Sequence, residues 1–423
     1  MTEFPLMRRY HPSQMLLPLA LILLVLASPA VSLGQTSIFN IQNSPSPNPV
    51  GNTLNAVAAL SASDAWAVGY KNDNNLNEAR TLTMHWDGNA WKVVPSPNPG
   101  STPGCTNANT GNVLTAVSAI AADDVWAVGF SFTCTSADLI PMALHWNGTK
   151  WSVVQTPALL TTGNSAFNGI AAISSKDVYA VGYQPATNSA VLTLIEHWDG
   201  NAWTVVPSPN GNSTGNVLFA VTAISSTDIW AVGDKVAPNV AIKTLTMHFD
   251  GNAWTIVPSP NPVLTGFLTA NELLSVQAVS STNVTAVGRV RDGNNLDTVT
   301  LVEHWDGTLW KVVPSPNQGT SIGDFNSLQS VTAVSGTDLY AAGFFATAAT
   351  NGQQETMVQH FDGHTWTIIP SPTRGLAQQL NGVFALPGTG NVWSVGAAAQ
   401  NGTDPETGFL IIPKTLVLFS PIG

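Results

Sequence analysis

The stretch from Asp64 to Pro97 reads DAWAVGYKNDNNLNEARTLTMHWDGNAWKVVPSP, and variants of it recur along the chain. Its first signature, WAVG or a close variant, occurs seven times, beginning at Trp66, Trp126, Tyr179, Trp230, Thr285, Tyr340 and Trp393. A second signature, H-(W/F)-(D/N)-G-x-x-W, follows six of these, beginning at His85, His145, His197, His248, His304 and His360. Successive copies lie 51 to 60 residues apart, which predicts a structure built from one repeated unit.

Each copy, numbered here as units one to seven in chain order, resolves into four short strands, A to D. In unit one the pattern predicts strands at Leu54–Leu60, Ala65–Gly69, Thr81–Trp86 and Trp91–Val94. Strand D runs into PSPNP, which cannot continue a ladder because proline lacks the N–H donor. We therefore expect strand D to be an outer edge strand.

The third position of strand A is small in every unit. The residues are Ala56, Ala116, Gly169, Ala220, Ser275, Ser330 and Gly382. Radially arranged sheets crowd only their innermost strand, so this pattern favours an all-β, seven-bladed propeller of four-stranded blades over an open sandwich. The amino-terminal segment Phe39–Pro49 matches a strand D with its tail, whereas unit seven stops after a strand C at Leu416–Phe419. We expect the amino-terminal strand to join the carboxy-terminal blade and close the ring.

The order of these motifs, WAVG, variable loop, HWDG and then W-x-V-V-P-S-P, resembles kelch repeats, including those of galactose-oxidase-like propellers. The resemblance covers nearly all of the chain after residue 34, although kelch units usually carry a pair of glycines where this chain has the single Gly69 and its equivalents. The resemblance implies a propeller fold. Kelch-like propellers include enzymes, adhesins and partner-binding modules, so the fold does not select one function. The tyrosine and cysteine pattern of a copper-radical site cannot be carried onto this sequence, so no cofactor is predicted.

The first 34 residues have the features of a secretory signal peptide. Arg8 and Arg9 precede the apolar run Met15–Ala27, and small residues follow it. We expect export, with residues 35–423 forming a single propeller domain that acts as a monomer, secreted or at the cell surface, with no membrane span after cleavage. Cys105 and Cys134 are predicted to form one disulfide, because exported chains oxidise their cysteines.

Composition narrows the class of partner. Only 9% of the residues are charged, and the formal net charge is −11. A nucleic-acid partner is not expected, because phosphate binding needs a basic face.

Most conspicuous polar residues recur once per unit, which favours structural roles. One equivalent histidine per blade cannot converge on a zinc ion, since blades pack about 10 Å apart and zinc ligands lie about 2 Å from the metal. We therefore predict a hydrogen-bonding role for the histidines and no metal site. The aspartates before strand B, such as Asp64, and before the C–D glycine, such as Asp87, occupy turns and are expected to cap backbone donors. All 14 tryptophans fall on repeat positions and are interpreted as blade packing.

The connections between strands B and C, and between D and the next A, vary and are expected to share one face of the fold. That face carries the charges outside the repeat. Our candidate ligand-binding residues there are Arg80, Asp234, Lys235, Arg289, Arg291 and Asp292. No motif predicts a catalytic residue.

Three hypotheses follow. The leading one is a non-enzymatic exported propeller that binds a glycan or a protein through its variable loop face. The second is a carbohydrate-active hydrolase or lyase, which needs two loop carboxyls within about 10 Å of each other near the axis. The third is a structural protein of the cell envelope.

Overall fold

The computed structural model describes residues 39–421 except 73–77, 101–110, 134–135, 158, 160–162, 187–189, 212, 238–240, 265–268, 293–296, 320 and 403–409. Within these residues the fold is all-β, apart from one 3-10 turn at Ala348–Thr350. The described part of the chain contains no helix that is long and apolar enough to cross a membrane. The signal peptide, Cys105 and Cys134 lie outside the described residues, so the signal peptide and the disulfide stay predictions.

The strands follow the predicted order A to D in units one to six and A to C in unit seven. Units one to three contain β2 (Asn52–Ser61), β3 (Asp64–Asn72), β4 (Ala79–Trp86), β5 (Trp91–Val94), β6 (Gly111–Ala121), β7 (Asp124–Thr133), β8 (Ser136–Trp146), β9 (Trp151–Val154), β10 (Ala166–Ser174), β11 (Asp177–Pro185), β12 (Val191–Trp198) and β13 (Trp203–Val205). Units four to six contain β14 (Gly215–Ser225), β15 (Asp228–Val236), β16 (Ile242–Phe249), β17 (Trp254–Val257), β18 (Ala270–Ser280), β19 (Asn283–Arg291), β20 (Thr298–Trp305), β21 (Trp310–Val312), β22 (Phe325–Ser335), β23 (Asp338–Ala346), β24 (Glu355–Phe361) and β25 (Trp366–Ile369). Unit seven contains β26 (Ala377–Ala385), β27 (Val392–Gly402) and β28 (Leu410–Ser420), and β1 (Asn40–Ile41) precedes unit one.

Strands within a unit pair antiparallel with their sequence neighbours. In unit one β3 lies between β2 and β4, and β5 pairs with β4 alone, which confirms strand D as an outer strand. In unit seven no described strand follows β28 in the place of strand D. Instead β1 pairs antiparallel with β28, with Asn40 opposite Phe419.

The glycine of WAVG is required by a close backbone approach. Strands A and B shift register between Leu54 and Ala56, which marks a bulge opposite Gly69. A Cβ added to Gly69 would lie only 2.0 Å from the carbonyl oxygen of Thr53. The same contact, at 1.9 to 2.0 Å, recurs at Gly129, Gly182, Gly233, Gly288, Gly343 and Gly396. No other residue fits this position, which explains why it alone is glycine in every unit.

The small position on strand A packs against the next unit, as predicted. A Cβ on Gly169 would lie 2.9 Å from the Cα of Ala220, and a Cβ on Gly382 would lie 3.0 Å from the Cα of Ala56. The first strands of neighbouring units therefore approach closely, and unit seven approaches unit one in the same way.

The proline-rich tails fold back along strand C and are held by its first threonine. In unit one the N–H of Thr81 donates to the side-chain oxygen of Asn98 at 2.8 Å, and its hydroxyl is 2.8 Å from that of Ser96. The amino-terminal segment makes an equivalent contact to β28, where the N–H of Thr415 donates to the hydroxyl of Ser46 at 3.1 Å. The segment thus takes, beside β28, the place that the proline-rich tail takes beside strand C in unit one.

The hydrophobic core is a series of clusters between neighbouring units. One cluster joins Trp66 and Val68 of unit one to Leu114 and Leu144 of unit two. Another joins Leu54, Leu82 and other residues of unit one to Trp393 of unit seven. The tryptophans that begin WAVG are almost fully buried, which confirms their interpretation as packing residues.

Candidate functional site

The variable connections share one face, as the sequence predicts. Strand C of one unit begins beside strand A of the next, with Ala79 paired to Gly111 and Thr298 paired to Phe325. The B–C connection of a unit therefore ends next to the end of the D–A connection that leads into the following unit. We call this surface the loop face and the opposite surface, which carries the short A–B and C–D turns, the turn face.

The repeated histidines are hydrogen-bonded inside each unit, which confirms their structural role. Five histidines bind the aspartate before strand B at 2.8 to 2.9 Å, as in the contact between Nε2 of His85 and Oδ1 of Asp64. In unit five His304 binds Asn283 instead, at 3.1 Å. The expectation that these aspartates cap backbone donors is corrected accordingly, because their Oδ1 atoms face a histidine.

The second aspartate series does cap the C–D turn. The N–H groups of Asn201 and Ala202 donate to Oδ1 of Asp199 at 2.8 and 2.9 Å, and these bonds lower the pKa of its carboxyl. Both aspartate series thus make hydrogen bonds within their own unit, and both lie toward the turn face.

Three of the six candidate residues come together on the loop face of units four and five. Nε of Arg289 donates to Oε2 of Glu272, and Nη2 of Arg291 lies 3.8 Å from Oε1 of the same carboxylate. The guanidinium of Arg289 also lies over the ring of Phe325 of unit six, 5.8 Å from its centroid. Asp234 of unit four completes this group, which we call the charged cluster: Asp234, Glu272, Arg289 and Arg291.

Strand register explains how the cluster forms. Arg289 follows the bulge glycine of β19, and the register places it opposite Glu272 of β18. Asp234 holds the equivalent position after Gly233 of β15. The residue after WAVG is thus carried to the loop-face end of the inner strands in every unit, and only units four and five place a charge there.

The electrostatics of Asp234 differ from those of an ordinary surface aspartate. Burial and the neighbouring charge of Glu272 raise the pKa of its carboxyl to about 7, although Arg289 and Arg291 act in the opposite direction. Asp234 is therefore partly protonated near neutral pH. The two arginine side chains stay accessible, with 23% and 28% of their surfaces exposed.

The other three candidates make different contacts: Arg80 lies in unit one, whereas Lys235 and Asp292 directly follow Asp234 and Arg291 in the chain. Nη2 of Arg80 in unit one pairs with buried Glu78 at 3.3 Å. Lys235 lies opposite Lys243, and burial together with that second cation lowers the pKa of its amine. Asp292 is buried, and its N–H donates to the carbonyl of Asp297 at 2.8 Å.

A channel of about 510 Å³ runs between the first strands of all seven units. Leu274, which lines it, lies two residues after Glu272, so the charged cluster borders the loop-face mouth of this channel. No ionisable side chain is present among the described residues that line the channel. Asn55 and Asn381 each donate an amide N–H to a carbonyl of the next unit, Leu114 at 2.7 Å and Leu54 at 2.8 Å.

The candidate residues predicted from the sequence did not include two residues of this site, Glu272 and Phe325. Glu272 is a loop-face charge in the sequence, but nothing in one sequence shows that its carboxylate joins both arginines. Phe325 is the first residue of β22, and it stacks on Phe344 with ring centroids 5.4 Å apart. The only available signal was its place at the start of a strand A, beside the connection that the repeat leaves variable.

No group of three or more His, Cys, Asp or Glu side chains that could hold a metal ion occurs within the described part of the chain. The carboxylates of the charged cluster interact with arginines instead. This arrangement can bind polar or charged groups, and Asp234 can exchange a proton near neutral pH.

Solved structures with the same architecture show the class of fold. A structure titled YCF48 bound to D1 peptide matches 94% of this chain and 100% of that chain, with a TM-score of 0.51 and 12% sequence identity. A polysaccharide lyase of family PL25, ulvan lyase bound to -[GlcA(1-4)Rha3S]-, matches 87% of this chain and 93% of that chain, with a TM-score of 0.55 and 9% identity. The fold is a β-propeller. No protein-family model and no curated protein matches the sequence. The narrower resemblance to kelch-like and galactose-oxidase-like propellers stays a prediction.

Proposed function

We propose that this chain is an exported, seven-bladed β-propeller, closed by its amino-terminal strand, that binds a glycan or a protein partner through its loop face. The charged cluster of units four and five is the proposed centre of the site. The observation that carries the proposal is the pair of accessible arginines, held by one buried carboxylate and an aromatic ring.

Preorganisation supports a binding role for the arginines. Glu272 and Phe325 orient the guanidinium of Arg289 before a ligand arrives, and the carboxylate of Glu272 attracts the guanidinium of Arg291, so less side-chain entropy is lost on binding. Arginine matches carboxylate and sulfate groups with paired N–H donors. Propellers of this fold accommodate both proposed ligand classes, since the two similar structures are bound to a peptide and to a saccharide.

The experiment is a thermal-shift screen of the chain from Gln35 onward against neutral, uronate-containing and sulfated oligosaccharides and acidic peptides. A ligand that binds the native state raises the melting temperature. We expect a saturable increase in melting temperature. Arg291→Ala should lower the ligand affinity at least about tenfold, because it removes one charge-assisted contact. Lys150→Ala, which removes an exposed cation from the turn face, is the matched control and should leave the affinity unchanged.

A second candidate function is favoured by the carboxyl pair of the cluster. Hydrolases and lyases need a group that exchanges protons near the working pH, and Asp234 has a pKa of about 7 beside the carboxylate of Glu272. In this hypothesis Asp234 transfers the proton and the arginines bind an acidic sugar. The third hypothesis, a purely structural envelope protein, predicts no ligand shift in the screen, so a saturable shift would exclude it.

Turnover separates binding from catalysis. If the chain is an enzyme, Asp234→Asn lowers the rate of product formation by about 10²-fold or more while ligand affinity stays within threefold. Reducing ends report hydrolysis, and the ultraviolet absorbance of unsaturated uronides reports elimination. Binding without product from any bound glycan would leave the non-enzymatic proposal standing and eliminate the second candidate.

A further inference from the structure

Unit five departs from the repeat at the residue that begins WAVG. The other six units place an aromatic ring there, namely Trp66, Trp126, Tyr179, Trp230, Tyr340 and Trp393. In unit one the Trp66 ring lies 4.6 Å from the ring of His85. It also contacts two rings of unit two, Trp146 at 4.9 Å and Trp151 at 5.2 Å, the latter edge-on. The aromatic ring therefore fills the interface between two blades.

In unit five this position is Thr285, and the space that a ring would occupy is a cavity of about 240 Å³. Its walls include His304 of the same unit and Phe361 and Trp366 of unit six, the equivalents of His85, Trp146 and Trp151. The described lining residues otherwise include Val302 and Leu339, and none of them is an acid or a lysine or arginine. The cavity thus keeps the aromatic walls of the repeat without its central ring.

His304 lines this cavity, and its hydrogen bond to Asn283 fixes which ring nitrogen carries the proton. Nδ2 of Asn283 donates to the carbonyl of Gly336 at 3.1 Å, so its Oδ1 accepts from Nε2 of His304. Burial lowers the pKa of the imidazole, which is therefore neutral near pH 7 and keeps Nδ1 as an acceptor. The neutral ring suits stacking against an uncharged partner.

We propose that this cavity binds a planar aromatic ring of the size of indole or phenol, seated where the other units hold their own Trp or Tyr ring. Tight packing makes an empty apolar space between blades unfavourable, and engineered apolar cavities of about 150 Å³ bind benzene in other proteins. The ring stacks on His304 and meets Trp366 edge-on, as Trp66 does with His85 and Trp151. The turn residues Gly336, Thr337 and Gly363 lie at the entrance, and Thr337 is exposed, so the cavity is reached from the turn face.

This site is independent of the proposed loop-face function, because it lies on the opposite face. The same chemistry can come from a free aromatic molecule or from the aromatic side chain of a partner. The two sources differ at the entrance of the cavity, because an aromatic side chain binds only if the entrance also accommodates the peptide backbone attached to it. Indole and phenol test the first source, and N-acetyl-tryptophanamide tests the second.

The experiment titrates the purified chain with these three probes by calorimetry and thermal shift. We expect indole to bind with 1:1 stoichiometry. Thr285→Trp, which supplies the missing ring, should weaken indole binding at least about tenfold and raise the melting temperature. Thr285→Val keeps the cavity with a side chain of the same size and is the matched control, with affinity expected within threefold.

Either probe result is informative. Binding of indole alone assigns a free aromatic ligand, and binding of both indole and the amide assigns a partner side chain. The proposal is wrong if indole gives no saturable binding, or if Thr285→Trp binds it as well as the unmodified chain does. Thr285→Tyr serves as a second filling variant if the tryptophan variant does not fold, because Tyr already occupies this position in units three and six.

Discussion

Glu196 and Glu303 occupy the same place in strand C of units three and five, directly before the repeated histidine. Both side chains are fully buried, and neither carboxyl oxygen of either residue has a hydrogen-bond partner among the described residues. Burial raises the pKa of each carboxyl to about 8. Unit six carries Gln359 at this position, whose Nε2 donates to the carbonyl of Pro316 at 2.8 Å. The two glutamates are therefore held as neutral acids near pH 7.

This predicts a pH-dependent stability. The folded-state pKa is higher than the ordinary value of 4.5, so the folded chain binds more protons than the unfolded chain between pH 4.5 and about 8. The free energy of unfolding should fall as pH rises through that range. Glu196→Gln and Glu303→Gln should each remove part of this slope and stabilise the chain at pH 7 by roughly 1–3 kcal/mol.

Urea unfolding at pH 5, 7 and 8.5 measures this prediction. Gln359→Glu is the reciprocal variant and should introduce a further fall in stability toward alkaline pH. Equal stabilities of the glutamine variants and the parent chain at all three pH values would contradict the account of these carboxyls.

At the scale of the strand, the bulge glycine makes a direct prediction. Gly69→Ala places a Cβ against a backbone carbonyl that cannot move without breaking the A–B ladder. We expect a loss of about 2–4 kcal/mol in unfolding free energy, measured by urea unfolding. Gly336→Ala is the control, because its Cβ would meet side-chain atoms alone, Nδ2 of Asn283 at 3.2 Å and Cγ1 of Val279 at 3.8 Å, and it should cost less than about 1 kcal/mol.

The histidine–aspartate contact joins strands B and C of one unit. Asp124→Ala leaves Nε2 of His145 without its acceptor and should cost about 1–2 kcal/mol. Asp124→Asn should retain most of the stability, because unit five already uses Asn283 as the acceptor. Thermal unfolding of the two variants measures the difference, and equal losses would show that the contact depends on charge rather than on the hydrogen bond.

Strands were predictable because their signals repeat. WAVG, HWDG and PSPNP, or variants of them, recur in the same order in successive units, so the order A to D and the outer position of strand D follow from the sequence. The ends of the strands were harder to predict, since β2 runs from Asn52 to Ser61, beyond the predicted Leu54–Leu60. Ladder pairing extends into residues without a repeat signature, and their side chains differ from unit to unit.

At the scale of the whole molecule, the ends of the chain are the critical feature. Phe39 is 1% exposed and packs with Leu416 and Leu418, while Ser44 and Ser46 contact Thr415. A chain that begins at Val50 should lose this strand and melt at a clearly lower temperature than one that begins at Gln35. Equal melting temperatures would contradict the proposed closure, and addition of a peptide spanning residues 36–49 should restore stability to the shorter chain.

The candidate site was only partly predictable, because it depends on contacts between units. Asp234, Arg289 and Arg291 were identifiable as charges outside the repeat, yet Arg80, Lys235 and Asp292 met the same criterion. Arg80 pairs with Glu78 in unit one, Lys235 lies opposite Lys243, and Asp292 bonds to Asp297. The contact of Glu272 with both arginines follows from strand register, and the cavity beside Thr285 follows from the packing of unit six on unit five. A single sequence shows that a repeat position has changed, whereas the geometry between blades shows what the change creates.

The central claim is that a ligand binds at the loop face of units four and five. Hydrogen–deuterium exchange, with and without the ligand found by the thermal-shift screen, tests it most directly because it reports the location of binding. We predict slower exchange in segments 232–237, 270–275 and 288–292, with no change in the turn-face segments 147–150 and 199–202. Slower exchange confined to the turn face, or to units one to three, would contradict the claim.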